Sequence, residues 1–232
     1  LLSAVDAIAF VALVACWFIV GWRIEHPSAR RASVTVIMMG YRREWMRQMV
    51  TREPRIFDAA ILSSLRQGTS FFASACMIAI GGLLAAVSNT EALQMAAAEL
   101  TSEMVPSLVW QVKLLVVVLF LTQAFLKFVW ANRLFGYCSV VMAAAPNDVS
   151  HPDTYPRAAQ AAELNIRAAW NFNRGLRSVY FALGSAAWLL GSYALLAATL
   201  FTVLVLYRRE FASNSRAVLM DSSDKIAPPT GM

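Results

Sequence analysis

Four long apolar blocks constrain the fold of this chain more than any other feature. They cover about 1–22, 63–88, 108–130 and 179–207, and each is long enough for a helix to cross a bilayer core, which takes roughly 20 residues. Lipid offers the backbone no hydrogen bonds, so separate apolar segments must enter it as helices. The blocks therefore predict an all-α fold: an integral membrane four-helix bundle that forms a single domain over 1–211.

The overall composition agrees with lipid as the solvent of most of the chain. Hydrophobic residues make up 59% of the 232 residues and charged residues 15%, whereas soluble domains carry about 25% charged residues. The net charge of +6 is not accompanied by a soluble basic domain or an RNA-binding signature. We therefore expect anionic membrane lipids, and not nucleic acid, as the counter-charge.

Arginine sets the expected orientation, because connections that stay in the cytoplasm hold an excess of basic residues. Residues 23–66 include nine arginines, whereas 89–107 include three glutamates and no basic residue. The first connection should be cytoplasmic and the second external, so four crossings place both termini on the periplasmic side of a bacterial inner membrane. Arg208 and Arg209, after the fourth block, disagree with this scheme. A fifth crossing would remove the conflict, but no further apolar block is long enough.

A helix that lies on the cytoplasmic face of the bilayer is predicted over about 28–51. Apolar residues recur there at helical spacing, while arginines occupy the other faces. Such a helix suits the headgroup boundary, where apolar burial and attraction to anionic lipid add together. A docking surface for another protein is the alternative. The residues expected to act at this interface are Tyr41, Arg42, Arg43, Trp45 and Arg47.

Two further segments lie outside the apolar blocks. Turn-forming residues around Pro146 and Pro152 interrupt the chain after the third block. A helical pattern resumes over about 155–172, which should be a cytoplasmic helix. The C-terminal tail, 212–232, is rich in Ser, Asp and Pro, a composition that predicts a mobile segment.

Basic and amide side chains near the inner ends of the last two blocks form the candidate binding site. If these helices touch, the side chains would build one pocket for a lipid headgroup or a small anion. The alternatives are a lysine that snorkels to the interface and arginines that only signal topology. The residues of this predicted basic pocket are Lys127, Arg133, Asn173, Arg174 and Arg177.

No residue pattern predicts catalysis or a bound cofactor. His26 and His151 lie in connections, whereas haem held between membrane helices needs histidines inside the spans. The three cysteines form no CxxC pair, and phosphate-loop and hydrolase motifs are missing from the sequence. We therefore expect no catalytic residue, no metal site and no cofactor.

Several residues inside the blocks call for structural explanations. Asp6 lies near a helix start, where the helix dipole stabilises a negative charge. Lys113 is expected to snorkel outward beside Trp110. Gly81, Gly82, Gly184 and Gly191 are expected to be close-packing positions between helices.

Three pairs of segments carry a resemblance to a known family. YRREWM at 41–46 pairs with RIFDA at 55–59, KFVW at 127–130 with RLFGYC at 133–138, and LRSVYFAL at 176–183 with LYRREF at 206–211. Together they resemble the bacterial and plant membrane proteins known as domain of unknown function 599. The resemblance extends over nearly the whole chain. It implies a multi-helix membrane protein and supplies no catalytic residue.

The sequence favours a non-catalytic accessory or assembly subunit of a larger membrane complex. Its partners would be other membrane protein subunits or a second copy of the chain, since the spans contain small residues that allow close packing in lipid. The alternative is a transporter or channel for a small anion that uses the basic pocket. A lipid-acting intramembrane enzyme is a remote third hypothesis.

Overall fold

The computed structural model describes residues 3–28, 31–89 and 106–224, and all regular structure within those ranges is helical. The all-α class is thereby confirmed. A short 3₁₀ turn, Ala187–Leu190, joins the fifth helix to the sixth. The helices are α1 (Ala4–Glu25), α2 (Val34–Met49), α3 (Ile56–Ser88), α4 (Ser107–Ala143), α5 (Thr154–Ala186), α6 (Ser192–Phe211) and α7 (Asn214–Asp224).

Three of these helices, α1, α3 and α4, are long and apolar enough to cross a membrane. They coincide with the first three apolar blocks of the sequence. α3 has 33 residues and α4 has 37, which corresponds to lengths of roughly 50 and 55 Å. Because the hydrocarbon core of a bilayer is about 30 Å thick, both helices extend well beyond it.

The fourth apolar block, 179–207, is a helical hairpin and not the single span that its length predicts. α5 ends at Ala186, and the chain reverses through the 3₁₀ turn and Gly191. Gly191 has a φ of 118°, a backbone conformation that favours glycine over any residue with a Cβ. Gly191 is thus a turn residue with open space around it, whereas Gly184 is a close-packing position: a Cβ there would lie 3.0 Å from Oγ1 of Thr202.

The hairpin returns the chain to the end of the bundle where α1 ends and α2 begins, here called the basic end. Glu210, at the end of α6, accepts hydrogen bonds from the Thr35 backbone N–H (3.1 Å) and Oγ1 (3.0 Å) on α2. Ser192, at the start of α6, instead lies beside Asp6 at the start of α1. The start of α1 and the end of α6 therefore occupy opposite ends. This placement within the described residues differs from the expectation that both termini share one side, and Arg208 and Arg209 lie at the basic end.

Two apolar cores lie along the bundle. The first includes Leu13, Phe120 and Phe181 and joins α1, α4, α5 and α6. The second lies at the basic end, where Met46 of α2 and Phe135 of α4 are buried against small residues of α5. The predicted surface helix, 28–51, thus corresponds to a shorter helix that packs against protein on one face. The predicted cytoplasmic helix, 155–172, is the first half of α5.

The first half of the predicted mobile tail is helical and docked. Within 212–232, α7 covers Asn214–Asp224. Arg216 donates through Nε to the Ala32 carbonyl (2.9 Å), and the Tyr41 hydroxyl of α2 donates to the Leu219 carbonyl (3.2 Å). The rest of the tail, 225–232, lies outside the described residues. The docking of α7 depends on the α5–α6 hairpin, since only the hairpin brings this segment back to α2.

The hairpin topology predicts which positions share a side of the membrane. In a cysteine-free background, Thr51→Cys and Ser215→Cys should react with a membrane-impermeant maleimide from the same face, because both positions are exposed at the basic end. Ser107→Cys, at the start of α4, should react from the opposite face. Labelling of sealed vesicles of both orientations measures this. A Ser215→Cys variant that is labelled together with Ser107→Cys would contradict the hairpin.

The middle of the bundle is fastened by aromatic rings from three helices. Phe128 of α4 packs against Phe72 of α3 and Phe172 of α5, with ring centroids 5.4 Å apart in each pair. Gly175 of α5 makes room for this ring: a Cβ at Gly175 would lie 2.7 Å from Cε1 of Phe128. Phe128 is completely buried, so a Cβ at Gly175 would have to displace a packed ring.

Gly175→Ala should therefore lower the free energy of unfolding by about 1–3 kcal/mol, the usual cost of overpacking a core. Gly81→Ala on α3 is the matched control, because no atom lies within 4 Å of its Cβ position and alanine favours the helix. Thermal unfolding in a mild detergent, followed by circular dichroism, compares the two variants. If Gly175→Ala and Gly81→Ala had the same Tm, the Phe128 ring would be shown to move aside without a loss of stability.

Candidate functional site at the basic end

A buried ion cluster joins α1 to α5 at the basic end. Glu25, the last residue of α1, accepts hydrogen bonds from Nε (2.8 Å) and Nη2 (2.5 Å) of Arg174, and Nη2 of Arg177 donates to the same carboxylate. The side chains of Glu25 and Arg177 are 10% and 8% exposed. The Arg174 guanidinium also lies 5.8 Å from the centre of the Trp170 ring. This arrangement fixes the end of α1 against the middle of α5.

The structure brings together part of the predicted basic pocket. Arg174 and Arg177 meet, and Asn173 lies next to them, where its Nδ2 donates to Oγ1 of Thr35 at 3.4 Å. Arg133 lies apart on an exposed face of α4 and donates through Nε to the Tyr137 hydroxyl (2.5 Å). Lys127 is half-buried on α4 and takes no part in the Glu25 ion pairs.

The sequence interpretation missed Glu25, which supplies the negative charge for this cluster. It directly follows the first apolar block and could have been singled out as a carboxylate at a membrane boundary. Its partner residues are about 150 positions away in the chain, so spacing does not reveal them. The single Glu25 carboxylate binds both Arg174 and Arg177, so these two arginines fasten α1 to α5 while the cluster keeps a net positive charge. Anion binding by the predicted pocket stays a prediction.

The aromatic and basic residues of α2 contact protein. Trp45 donates through Nε1 to Oδ1 of Asp58 (2.7 Å), a completely buried carboxylate on α3 that Arg52 also binds. Arg43 pairs with Glu163 of α5 at 2.8 Å on the surface. These contacts anchor α2 to two other helices.

The two remaining polar residues predicted on the α2 surface differ in their surroundings. Arg47 is exposed and pairs with Glu44 one turn away (2.8 Å), and its hydrogen bond holds the pKa of the Glu44 carboxyl below its ordinary value. Arg42 is half-buried and donates to Oδ1 of Asn165 on α5, an uncharged partner. Contact of α2 with lipid stays a prediction.

A second polar cluster lies at the opposite end of the bundle. Asp6 closes a capping box with Ser3 at the start of α1, as its position in the sequence predicts. The same carboxylate also accepts hydrogen bonds from Nε1 of Trp188 (2.7 Å) and Oγ of Ser192 (2.5 Å). Lys113 is 7% exposed and faces the Trp188 ring at 5.8 Å. It therefore pairs with protein groups and does not snorkel outward.

A polar groove opens on the outer surface between α3 and α4. Its volume is about 520 Å³. Asn132 donates through Nδ2 to Oγ of Ser70 (3.0 Å) and accepts from Nε of Arg66 (3.5 Å). The other polar residues that line this α3–α4 groove are Ser63, Gln67 and Ser139.

Within 3–28, 31–89 and 106–224, no group of three or more His, Cys, Asp or Glu side chains is placed to hold a metal ion. The carboxylates in the clusters above are held by arginine, tryptophan and serine donors. The hydrogen bonds and ion pairs of these clusters hold the helices to one another.

These features define a class of protein: a helical protein with several apolar helices fit to span a membrane, held at each end by a polar cluster. The family model described as "Protein of unknown function, DUF599" matches residues 8–215. The chain belongs to this family, which confirms the resemblance seen in the sequence. No curated protein and no solved structure matches the chain.

Removing the charge of Glu25 should strongly destabilise the fold. Glu25→Gln leaves the buried Arg177 guanidinium without a counter-charge, and breaking a buried ion pair costs about 3–5 kcal/mol. Glu163→Gln is the matched control, because its pair with Arg43 is about half exposed and such pairs contribute less than about 1 kcal/mol. Reversible unfolding in mixed micelles measures both. An equal loss of unfolding free energy in Glu25→Gln and Glu163→Gln would show that the Glu25 cluster is as well solvated as the exposed pair.

Proposed function

We propose that the protein is a non-catalytic accessory or assembly subunit of a larger complex in the bacterial inner membrane. The proposal places the basic end in the cytoplasm and assigns the α3–α4 groove to binding a neighbouring membrane helix. The groove is the observation that carries it, since it exposes polar side chains beside an apolar helix. The following paragraphs give the support for each part.

The position of α3 at the edge of the bundle leaves its polar residues without cover. α3 packs mainly on α4. In its most apolar segment 6% of the residues are buried, against 44% for α4. Asn132, Ser70 and Arg66 therefore point to the surroundings of the bundle. A partner helix with polar side chains would satisfy these groups, and interhelical hydrogen bonds of this kind contribute roughly 0.6–2 kcal/mol in membranes.

The groove lies next to the hydrophobic layer of the bundle. Ser70 is two residues from Phe72, and Asn132 is one helical turn from Phe128, both members of the central aromatic cluster. Polar groups at this level are costly in contact with lipid. Small residues such as Ala59, which also lines the groove, would let a partner backbone approach closely.

The arginine distribution supports the orientation. With α6 returning to the basic end, Arg208 and Arg209 add to the nine arginines of 23–66. An excess of arginine is typical of cytoplasmic connections, and anionic lipids of the inner leaflet would supply the counter-charge. The start of α1 would then be periplasmic and the end of α6 cytoplasmic.

The alternative of a small-anion transporter has less support from the predicted basic pocket. Glu25 binds Arg174 and Arg177 through both carboxylate oxygens. A passing anion would have to compete with this carboxylate for the two guanidinium groups. The groove has no such internal occupant, which favours the subunit proposal.

The proposal predicts that the protein, extracted into nanodiscs or a mild detergent, is part of a complex. The mass of that complex should correspond to whole numbers of each chain. Ser70→Leu should reduce it to the lone chain, because the larger side chain fills the groove and removes the hydroxyl that Asn132 binds. Ser88→Leu is the matched control: it lies eighteen residues away, hence on the same face of α3, and its hydroxyl donates to the Leu84 carbonyl of its own helix. Mass photometry measures the three samples.

A wild-type protein that is monomeric in both media would overturn the proposal. An assembly that persists unchanged in Ser70→Leu would overturn the assignment to the groove. Identification of the second component by mass spectrometry distinguishes a second copy of the chain from another subunit.

A further inference from the structure

A small cavity lies at the basic end between α2, α5 and the end of α6. Its volume is about 180 Å³, well below that of pockets for drug-sized ligands, which start at about 300 Å³. One wall is apolar and includes Val34, Met38 and Ile166. The polar residues that line it are Thr35, Arg42, Trp170, Asn173, Arg209 and Glu210.

Arg42 brings a positive charge into this cavity without an ion-pair partner. Its guanidinium donates to the amide oxygen of Asn165, and none of the salt bridges among the described residues includes it. Burial lowers the pKa of Arg42 from its ordinary value, but a guanidinium stays protonated in proteins. A half-buried cation of this kind favours an anion beside it.

Trp170 has an unused hydrogen-bond donor at the edge of this cavity. Trp170 lines the cavity, and its Nε1 atom is buried without an acceptor. An indole N–H can only donate, and a buried donor without a partner costs roughly 1–3 kcal/mol. An acceptor placed in the cavity would recover this free energy.

The remaining polar groups leave the cavity with a positive balance. Glu210 is the carboxylate of the lining, and it is engaged by the backbone N–H and hydroxyl of Thr35. Arg209 adds a second cation and is bound to the neutral Tyr180 hydroxyl (3.2 Å). The Asn173 amide makes a long contact of 3.4 Å to Thr35, so it has donor capacity to spare. Two cations therefore face one carboxylate.

We propose that this cavity binds a phosphate-type oxyanion, with Arg42, Arg209 and the Trp170 indole N–H as its donors. Guanidinium groups match phosphate oxygens in geometry and charge, and the volume suits one phosphate group. The phosphate can belong to a lipid headgroup, whose apolar part would meet the Val34 and Met38 wall, or to a free ion. This site is separate from the α3–α4 groove and does not depend on the proposed function.

Binding is tested with two probes on the full-length protein. Inorganic phosphate is titrated into delipidated protein in a neutral detergent, with ³¹P NMR as the readout. Retention of phosphatidylglycerol against phosphatidylcholine is measured by native mass spectrometry after extraction from vesicles that contain both lipids. Phosphate binding identifies a free oxyanion, whereas selective retention of phosphatidylglycerol identifies a headgroup.

Two variants each remove one donor, and a third variant serves as the control. Trp170→Phe keeps the ring beside Arg174 but removes the N–H, and Arg42→Gln removes the charge. Each should weaken binding of the retained probe at least about tenfold, a free-energy change of about 1.4 kcal/mol. Arg47→Gln, an exposed arginine on the same helix, should leave binding unchanged.

Thermal stability keeps the test valid if Arg42→Gln fails to fold. Trp170→Phe breaks no hydrogen bond and keeps a ring beside Arg174, so it should fold. Added ligand should raise the Tm of the wild type and of Arg47→Gln, but raise that of Trp170→Phe much less. Absence of binding by both probes, or equal binding by wild type and Trp170→Phe, would overturn the proposal.

Discussion

The turn between α5 and α6 is the constraint on which the rest of the structure depends. Gly191 reverses the chain with a positive φ, and Asp6 holds both sides of the reversal through Trp188 and Ser192. The carboxylate that begins α1 thus also fixes the turn. Because of this reversal, α6 runs back beside α1, Glu210 reaches Thr35, and α7 docks on α2. Without it, the last two helices would lie at the other end of the bundle.

Charged groups at the basic end serve the packing of helices. Glu25 holds two arginines of α5, and Asp58 holds Arg52 and Trp45. Burying charge is costly unless it is paired and hydrogen-bonded, so these clusters tolerate little change in register. They restrict the bundle to one arrangement of helices whose apolar surfaces alone would pack in several ways.

Two further polar features, the α3–α4 groove and the cavity with Arg42 and Trp170, leave room for a partner or a ligand. The α3–α4 groove is open on the outside of the bundle and suits a laterally bound helix. The cavity with Arg42 and Trp170 is small and lies between three helices, and it suits a single anionic group. The free donors of Arg42 and Trp170 come from residues on different helices, so the cavity exists only because α2 packs on α5.

The sequence by itself determined the family, the all-α class, the three apolar helices α1, α3 and α4, and the arginine-rich end. These properties are local, since they depend on composition and on apolar blocks that hydropathy records directly. Only the tertiary structure decided the hairpin, because a turn made of Trp, Leu and Gly does not interrupt an apolar block. It also decided the partners of Arg174, Arg177 and Arg42, since Glu25 and Asn165 lie more than a hundred residues from them in sequence. Pairing at that separation follows from the packing of helices, which residue spacing along the chain does not encode.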